Sequence, residues 1–481
     1  MFWDRDRELS FLDQEYHTPG GRLVVLYGRR RVGKTCLIAE FIRDKPGFYH
    51  LADASLEIVQ RQAFRDDLRD FLGPAAWMLD DATVPAWPTL LRHLTAAADP
   101  ARKLVIALDE FQYLAQSEPA FPSLLQKLWD TDWQNRNLLL ILCGSHEGMM
   151  HDMALAYDSP LYGRRTGQIR LQPFSFTDYR RVFAHLPFNE AVENYAVSGG
   201  VPTYIAALGL DGDLWGRVRD RILHPNTMLY NEPRFVLSAE RADAISYFAL
   251  LRTIAAGEHR SSRIATALGQ PANRLAPYLD RLIELSLLER RVPVTLPATS
   301  RLGLYYLVDP FFRFWFRFVL PHQSQVELGQ VEPVLVRIQA SFGEHVSLQF
   351  EDCCAAWLYE QAAAGALPFS LSQVGRWWSR TQGTGEIDVL GLSEATGDIV
   401  FGECKWSRQP VGMDTLTGLY AQARQVPWQP NQDRQRREWF VLFSRTGFQE
   451  SLLERAQRQG NVGYHDILLV HDGRVVGGPG A

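Results

Sequence analysis

The segment that most constrains this chain is Gly28 to Thr35, which fills every fixed position of the pattern G-x-x-x-x-G-K-[ST]. An apolar run, residues 23–27, precedes the segment as a buried strand would, and residues 35–42 follow it at helical spacing. Backbone N–H groups of such a loop, with the N-terminus of the next helix, bind phosphate. We therefore expect a nucleotide-binding site formed by Gly28, Arg29, Arg30, Arg31, Val32, Gly33, Lys34, Thr35 and Cys36.

The side chains in this loop predict the division of labour within the site. Lys34 is expected to reach the terminal phosphates of ATP, and the Thr35 hydroxyl to bind Mg²⁺. A glycine-rich turn beside a basic surface is the alternative, and the strand and helix on either side of the loop count against it.

The chain's length and composition indicate a protein of several domains. At 481 residues it has room for about three domains of ordinary size. The net charge of -5 argues against a nucleic-acid signature over the whole surface, so any DNA contact must be local. Five cysteines without zinc-type spacing, and an amino terminus without an apolar signal core, predict a cytoplasmic protein with no membrane span.

A second apolar run, residues 104–108, ends in Asp109-Glu110, and we expect it to form the strand beside the phosphate-binding loop. Asp109 would hold Mg²⁺, and Glu110 would orient and deprotonate the water that attacks the γ-phosphate. A third run, residues 138–145, ends in Ser145. That serine is either a γ-phosphate sensor at a strand end or the N-cap of a helix.

Two adjacent arginines, Arg164 and Arg165, follow a glycine and are candidates for an arginine finger. A guanidinium directed at the transferring phosphoryl group supplies a large part of the rate of phosphoryl transfer. It can come from the same chain or from a neighbouring copy, and the second case predicts a homo-oligomer. Charge on a solvated loop is the alternative for one of the two.

These segments together resemble a prokaryotic family of AAA-like P-loop ATPases that is related to STAND-type signalling ATPases. The resemblance covers about the first half of the chain and implies an ATP site at Gly28–Thr35, Asp109 and Glu110. It also implies that residues 2–8 lie near adenine and that a Gly-Gly-Val-Pro turn belongs to a helical lid. The matching segments are Phe2-x-Asp4-Arg5-x-x-Glu8-Leu9, GRRRVGKT, ALDEFQYL, ILCGS, LYGRRTG and Ser198-Gly199-Gly200-Val201-Pro202-x-Tyr204.

The middle of the chain predicts a winged helix. Residues 261–269 and 273–285 have the pattern of two short amphipathic helices, and residues 288–306 that of a hairpin. If the second helix enters a DNA groove, Asn273, Arg274 and Arg281 are the candidate contacts. Interdomain packing or protein binding is the alternative role of this segment.

The last third contains a second candidate catalytic site, on two apolar strands joined by the polar turn 393–398. Asp388, placed at the end of the first strand, and Glu403 on the second would bind Mg²⁺ ions. Lys405 lies on the same face as Glu403 and would position or deprotonate the attacking water. A solvated hairpin is the alternative, but these charges lie in apolar strands, and the lysine occurs in an arginine-rich chain.

This hairpin resembles the D…ExK core of the PD-(D/E)XK nuclease superfamily, and the resemblance implies that Glu351, on an upstream helix, is a further metal ligand. We therefore expect an α/β P-loop NTPase parallel sheet with a helical lid at 1–235, an α+β winged helix at 236–325 and a restriction-endonuclease-like α/β domain at 326–481. The expected function is an ATPase that controls a nuclease-like, DNA-binding domain. The alternative is a regulatory ATP switch whose tail binds DNA or protein without cleaving.

Overall fold

The computed structural model describes residues 2–79, 84–96, 101–145, 147–238, 244–379, 385–430, 435–458 and 466–478. The chain divides into two compact units, Met1–Pro173 and Phe174–Ala481. The Gly-Gly-Val-Pro turn at residues 199–202, which the resemblance assigns to a helical lid, belongs to the second unit. Among the described helices, none is both long enough and apolar enough to cross a membrane.

The first unit is built on a parallel sheet whose described strands follow the order β2-β3-β4-β1-β5. Alternate side chains of β1 enter two different cores, with Leu23 and Val25 in one and Val24 and Leu26 in the other. This alternation, with both cores buried, gives a sheet covered by helices on both faces. The strands are β1 (Arg22–Tyr27), β2 (Gly47–Leu51), β3 (Leu104–Asp109), β4 (Leu138–Gly144) and β5 (Gly167–Arg170).

The strand order corrects one expectation. The strand that ends in Asp109 is not adjacent to the strand that leads into the phosphate-binding loop, because β4 lies between β3 and β1. The hydrophobic pattern marks all three strands as buried and carries no information on their order. The interposed strand places Ser145 between the loop and the acidic pair.

The helices of the first unit supply the layers on either side of the sheet. The described helices are α1 (Asp6–His17), α2 (Lys34–Ile42), α3 (Glu57–Leu72), α4 (Trp87–Ala96), α5 (Phe111–Ser117), α6 (Phe121–Thr131) and α7 (Glu147–Met150). Short 3₁₀ segments occur at Gly73–Leu79 and Trp133–Asn135, and a π-helical turn at His151–Leu155.

The second unit begins with helices and ends with a mixed sheet. Its helices are α8 (Phe176–Val182), α9 (Phe188–Ser198), α10 (Pro202–Leu208), α11 (Leu214–Arg217), α12 (Met228–Ser238), α13 (Ala244–Ala255), α14 (Ser261–Ala267), α15 (Ala272–Glu284), α16 (Pro310–Phe314), α17 (Gln323–Glu327), α18 (Val331–Ala363), α19 (Met413–Ala423) and α20 (Glu450–Gln457). Π-helical turns lie at Val218–Ile222 and Trp315–Val319, and a 3₁₀ turn at Leu320–His322.

The predicted order of helix, turn, helix and hairpin is found between residues 261 and 307. Helices α14 and α15 are followed by β6 (Leu288–Arg291) and β7 (Leu304–Leu307), which pair antiparallel. The aromatic run that follows is buried, with Phe311, Phe314 and Trp315 at 0 % exposure, so these rings form core and offer no face on which a base could stack.

The carboxyl-terminal sheet has the order β13-β12-β11-β10-β9-β8. Strand β9 is antiparallel to both of its neighbours, β8 and β10, while β10, β11 and β12 are parallel and are connected through α19 and α20. Helix α18 packs against β8, β9 and β10. The strands are β8 (Gln373–Trp378), β9 (Glu386–Ser393), β10 (Asp398–Lys405), β11 (Arg437–Ser444), β12 (Asp466–His471) and β13 (Arg474–Gly477).

A buried histidine in α18 makes the stability of the second unit pH-dependent. His345 is 2 % exposed, and its Nε2 donates to the Ala196 carbonyl at 2.9 Å. Burial, with the nearby positive charge of Arg313, lowers the pKa of His345 to about 3. Because the unfolded chain binds this proton near pH 6.5, the contribution of the neutral ring is complete above that pH and is lost as the pH falls toward 3.

We therefore expect His345→Asn to flatten the acid side of the stability profile. Between pH 6.5 and 4.5 the wild type should lose up to about 1.4 kcal/mol of unfolding free energy per pH unit through this group. Urea unfolding followed by tryptophan fluorescence over this range measures the slope. Gln339→Asn, at an exposed position of the same helix that does not titrate, is the matched control and should keep the wild-type slope. Equal slopes for wild type and His345→Asn would contradict the assignment.

Candidate active site

The phosphate-binding loop joins the end of β1 to the start of α2 and has the backbone that its glycines require. Gly28 has φ 151° and Gly33 has φ 94°, both in the region that disfavours a Cβ. The ammonium of Lys34, only 6 % exposed, donates to the carbonyls of Gly28 at 2.9 Å and Arg29 at 3.1 Å. The lysine side chain therefore lies over the loop whose backbone N–H groups are expected to bind phosphate.

The oxygens expected to hold Mg²⁺ meet at the end of β3. Thr35 Oγ1 donates to Asp109 Oδ2 at 2.7 Å, and the Tyr49 hydroxyl donates to the same oxygen at 3.0 Å. Asp109 is fully buried, and burial together with its charge raises the pKa of the Tyr49 phenol. A hydroxyl and a carboxylate in contact beside the loop are oxygen donors of the kind that Mg²⁺ prefers, so the residues present fit this ion.

Glu110 adopts a left-handed backbone conformation, φ 51°, at the point where β3 ends and α5 begins. Its Oε2 accepts hydrogen bonds from Ser145 Oγ at 2.8 Å and from Gln112 Nε2. The Ser145 hydroxyl is therefore directed at Glu110, and both roles considered for this serine, γ-phosphate sensor and helix N-cap, stay predictions.

The remaining loop residues differ in accessibility. Val32 and Arg29 are buried, Cys36 is exposed, and Arg30 Nη2 donates to the Tyr113 hydroxyl at 3.3 Å. Arg31 has φ 70°, which is unusual for a residue other than glycine. Nucleotide contact stays a prediction for all of these residues, Arg29, Arg30, Arg31, Val32 and Cys36.

Arg5, in the amino-terminal segment, contacts the phosphate-binding loop. Arg5 is 8 % exposed, and its Nη2 donates to the Val32 carbonyl at 3.1 Å and to the Gln172 carbonyl at 2.8 Å. Arg5 thus joins residues near the amino terminus to the loop on which phosphate is expected to bind.

The two candidate finger arginines have different partners. Arg164 forms a bidentate pair with Asp130, at 2.7 Å for both hydrogen bonds, and also donates to the Pro160 carbonyl at 2.9 Å. The Arg165 guanidinium lies 5.8 Å from the centre of the Tyr162 ring. In this conformation Arg164 is engaged by a carboxylate, and the choice of finger residue stays a prediction.

A parallel sheet with a phosphate-binding loop after β1, and an aspartate at the end of β3 bonded to the loop threonine, defines a P-loop ATPase. A family profile described as an ATPase domain predominantly from Archaea matches residues 2–208, and one described as archaeal and bacterial proteins of unknown function matches residues 315–416. The Methanocaldococcus jannaschii protein MJECL04 is 31% identical over 410 residues, covering 84% of this chain and 88% of that protein. The chain belongs to this family of prokaryotic P-loop ATPases with a distinctive carboxyl-terminal domain.

Two further similarities are more limited. The M. jannaschii ATP-binding protein MJ0423 is 49% identical over 45 residues, which is 9% of this chain and 76% of that protein. Among solved structures, the Walker-type ATPase PABY2304 of Pyrococcus abyssi aligns with a TM-score of 0.50 at 23% identity, over 66% of this chain and 96% of its own. This second match supports the fold.

The second candidate site lies on the β9–β10 hairpin of the second unit. Asp388 is the third residue of β9, near the start of the strand and not at its end as expected from the sequence, and its Oδ2 accepts from the Cys404 N–H at 2.9 Å. Lys405 Nζ donates to Glu403 Oε1. The hairpin therefore brings Asp388, Glu403 and Lys405 together as a local cluster.

The charges in this cluster influence one another. Burial raises the pKa of Asp388, and burial followed by the charge of Asp388 raises that of Glu403. Although burial opposes it, the hydrogen bond and charge of Glu403 raise the pKa of Lys405. Two largely buried carboxylates that repel each other form a donor set suited to a cation. Lys405 is held beside Glu403, and its two expected roles, positioning or deprotonating the attacking water, stay predictions.

The third expected ligand is engaged by another residue. Glu351 of α18 forms an ion pair with Arg376 of β8, and both side chains are largely buried. Among the described residues, no group of three or more His, Cys, Asp or Glu side chains is placed to hold a metal ion. A cavity of about 510 Å³ is lined by Glu351, Arg376 and Asp388, together with Arg291, whose guanidinium pairs with Asp352 at 2.6 Å.

The candidate DNA contacts on α15 are accessible. Asn273 and Arg274 are exposed, and Arg281 is partly exposed and pairs with Glu284 at 3.0 Å. The helix buries Leu275, Leu279 and Leu282 on its opposite face. This arrangement leaves a polar face free of core packing, and DNA contact by that face stays a prediction.

Several residues near the sites were not identified from the sequence. Two of them, Tyr49 and Arg376, lie on strands and contact residues that are far away in the sequence. The third, Gln112, lies on a helix and contacts Glu110 across the turn that precedes it. Arg5 and Gln112 belong to the segments quoted as family-like, so the identity of those motif positions was the available signal. No local pattern singles out Tyr49.

Proposed function

We propose that this protein is a Mg²⁺-dependent ATPase whose nucleotide state controls a nuclease-like, DNA-binding domain. The observation that carries the ATPase part is the meeting of Lys34, Thr35, Asp109 and Glu110 at the carboxyl ends of β1 and β3. Ligands of open α/β sheets bind at this edge. The free thiols of all five cysteines agree with action in the reducing cytoplasm.

In the proposed ATPase reaction, Thr35 and Asp109 would hold Mg²⁺, and the ion would supply positive charge that offsets the charge of the phosphates. Lys34 stabilises the negative charge that develops on the transferring group. Glu110 orients the attacking water and accepts its proton. Arg164 or Arg165 supplies the finger, in its own chain or in a neighbouring copy of a homo-oligomer. For Arg164 to do so, its pair with Asp130 must open.

In the nuclease-like domain, Asp388 and Glu403 are the proposed ligands of a divalent cation, and Lys405 positions the attacking water. Bound there, the cation would polarise a phosphate oxygen and lower the pKa of water. Support comes from the placement of three charged residues on adjacent strands, with both carboxylates largely buried. DNA would be bound by this domain and by the exposed face of α15, with Asn273, Arg274 and Arg281.

The second candidate function is a regulatory ATP switch whose carboxyl-terminal domain binds DNA or protein without cleaving it. The ion pair between Glu351 and Arg376 favours this alternative, because it occupies the carboxylate proposed as a third metal ligand. For cleavage through a three-carboxylate site, Arg376 must release Glu351. The two functions share the ATPase site and differ in whether phosphodiester bonds are hydrolysed.

DNA cleavage by the full chain tests the proposal. Supercoiled and linear DNA are incubated with protein, Mg²⁺ or Mn²⁺, and ATP, beside Asp388→Ala and Lys34→Ala. We expect cleavage that falls at least about 10²-fold in Asp388→Ala, because one ligand of the cation is removed, and that changes in Lys34→Ala. Asp414→Ala, an exposed aspartate of the same domain, is the matched control.

The outcomes separate the two functions. Uncut DNA in every reaction, with ATP still hydrolysed by the wild type, supports the regulatory switch. Cleavage that is identical in Asp388→Ala and wild type overturns the assignment of the β9–β10 hairpin as a catalytic site. Divalent-metal binding, measured by calorimetry on wild type and Asp388→Ala, detects a cation site even when no DNA is cut.

A further inference from the structure

Gln112 has no role in the proposed ATPase reaction, yet its side chain donates a hydrogen bond to Glu110, the proposed catalytic carboxylate. It is the second residue of α5, and its Nε2 donates a hydrogen bond to Glu110 Oε2. The same nitrogen lies 3.5 Å from Ser145 Oγ, which bonds to that carboxylate oxygen as well. Two donors therefore converge on one of the two oxygens of Glu110.

The Gln112 side chain has little freedom to leave this position. It is 0 % exposed and lies against Gly144, the last residue of β4. A Cβ at position 144 would lie 2.5 Å from Gln112 Oε1 and closer still to Met150 Sδ. The glycine is therefore needed for this close approach, and the amide is held between the end of β4 and Glu110.

Packing alone does not explain an amide at this position. Gln112 Oε1 is buried and has no hydrogen-bond partner among the described residues. A buried, unpaired carbonyl is unfavourable for folding, and an apolar side chain of equal length would avoid the penalty. The contact that gives the amide a function is its N–H donation to Glu110.

We propose that Gln112 is a positioning residue for ATP hydrolysis. By holding Oε2, it fixes the rotation of the Glu110 carboxylate and leaves Oε1 to accept a hydrogen bond from the attacking water. Glu110 needs such support because it follows a strand end in a left-handed conformation, where its own backbone is strained. Ser145 shares Oε2 and can therefore transmit changes near the phosphates to the same carboxylate.

This inference rests on the proposed ATPase activity and is tested by Gln112→Met, which keeps the side-chain length and removes the donor. We expect kcat to fall about 10- to 100-fold, with ATP affinity and melting temperature close to wild type. Gln116→Met, the same substitution at an exposed position of α5, is the matched control and should keep the wild-type kcat. Gln112→Asn, whose amide is too short to reach Glu110, should lose as much kcat as Gln112→Met.

A double-mutant cycle distinguishes positioning from a structural role. In a Glu110→Gln background, measured by single turnover of labelled ATP, Gln112→Met should cause no further loss, since the carboxylate it orients is gone. Equal losses in both backgrounds, or loss of ATP affinity in step with kcat, would overturn the proposal. So would wild-type kcat in Gln112→Met. Absence of hydrolysis by the wild type would instead refute the ATPase proposal itself.

Discussion

Lys34→Ala is expected to lower the kcat for ATP hydrolysis by about 10²- to 10³-fold. The Lys34 ammonium is held over the phosphate-binding loop by the carbonyls of Gly28 and Arg29, so its position is fixed before any ligand arrives. A fixed charge that needs no reorganisation is most effective against the charge that develops in a transition state. Alanine removes that charge and leaves the loop backbone in place.

Phosphate release and ATP binding should be measured on the same preparations of this variant. Lys127→Ala, at an exposed lysine of α6, is the matched control and should behave as wild type in both assays. Circular dichroism and the melting temperature show whether the variant is folded. Wild-type turnover by a folded Lys34→Ala protein would exclude the loop as the site of hydrolysis.

The first of the two sites could be predicted in detail because its chemistry is local. The loop, its lysine and its threonine occupy eight consecutive residues, and the backbone that binds phosphate follows from those residues alone. The contact between Thr35 and Asp109 could also be expected from the sequence, since an apolar run ending in an acidic pair marks a strand end at the same sheet edge.

Strand order and side-chain contacts across turns could not be obtained in this way. The interposition of β4 between β1 and β3 depends on which buried strands pair, and their apolar sequences are interchangeable in that respect. Gln112 is only two residues from Glu110, but residues at that spacing lie on different faces of a helix. The hydrogen bond between their side chains forms because the backbone turns at Glu110, and the sequence pattern does not show this turn.

For the second site, the sequence indicated which residues to consider, but it did not predict all of their side-chain partners. Strand alternation placed Glu403 and Lys405 on one face, and their hydrogen bond agrees with that placement. The partner of Glu351 was not predictable, because Arg376 lies on a strand that the periodicity of the chain does not single out. In this conformation the Arg376 guanidinium therefore pairs with one of the three carboxylates that were expected to bind a cation.

Glu110→Gln is expected to lower kcat by about 10²- to 10⁴-fold, the loss of a general base, while ATP binding is retained. Glutamine has the shape of glutamate, and its carbonyl oxygen can still accept from Ser145 and Gln112, so the end of β3 should keep its structure. The amide cannot take a proton from water. The variant should therefore accumulate the ATP-bound state, which filter binding with labelled ATP can detect.

A trapped ATP state separates ATP binding from hydrolysis in the proposed control of the carboxyl-terminal domain. If ATP binding alone activates that domain, Glu110→Gln at saturating ATP should bind or cleave DNA at least as well as wild type, and so should Lys34→Ala to the extent that it still binds ATP. If turnover is required, both variants should be equally impaired. DNA binding by anisotropy and cleavage on gels, measured on both variants with Asp44→Asn, at an exposed aspartate of the same unit, as the control, decide between these cases.

Behaviour of Glu110→Gln identical to wild type in hydrolysis would remove Glu110 from the mechanism, and with it the reason for the contacts of Ser145 and Gln112. The opposite result has a wider consequence. If Glu110→Gln traps ATP and changes DNA binding, and no DNA is cleaved, the carboxyl-terminal domain recognises DNA without cutting it. This is the domain in which Arg376 pairs with Glu351. The nucleotide would then act as the signal, and hydrolysis as the step that ends it.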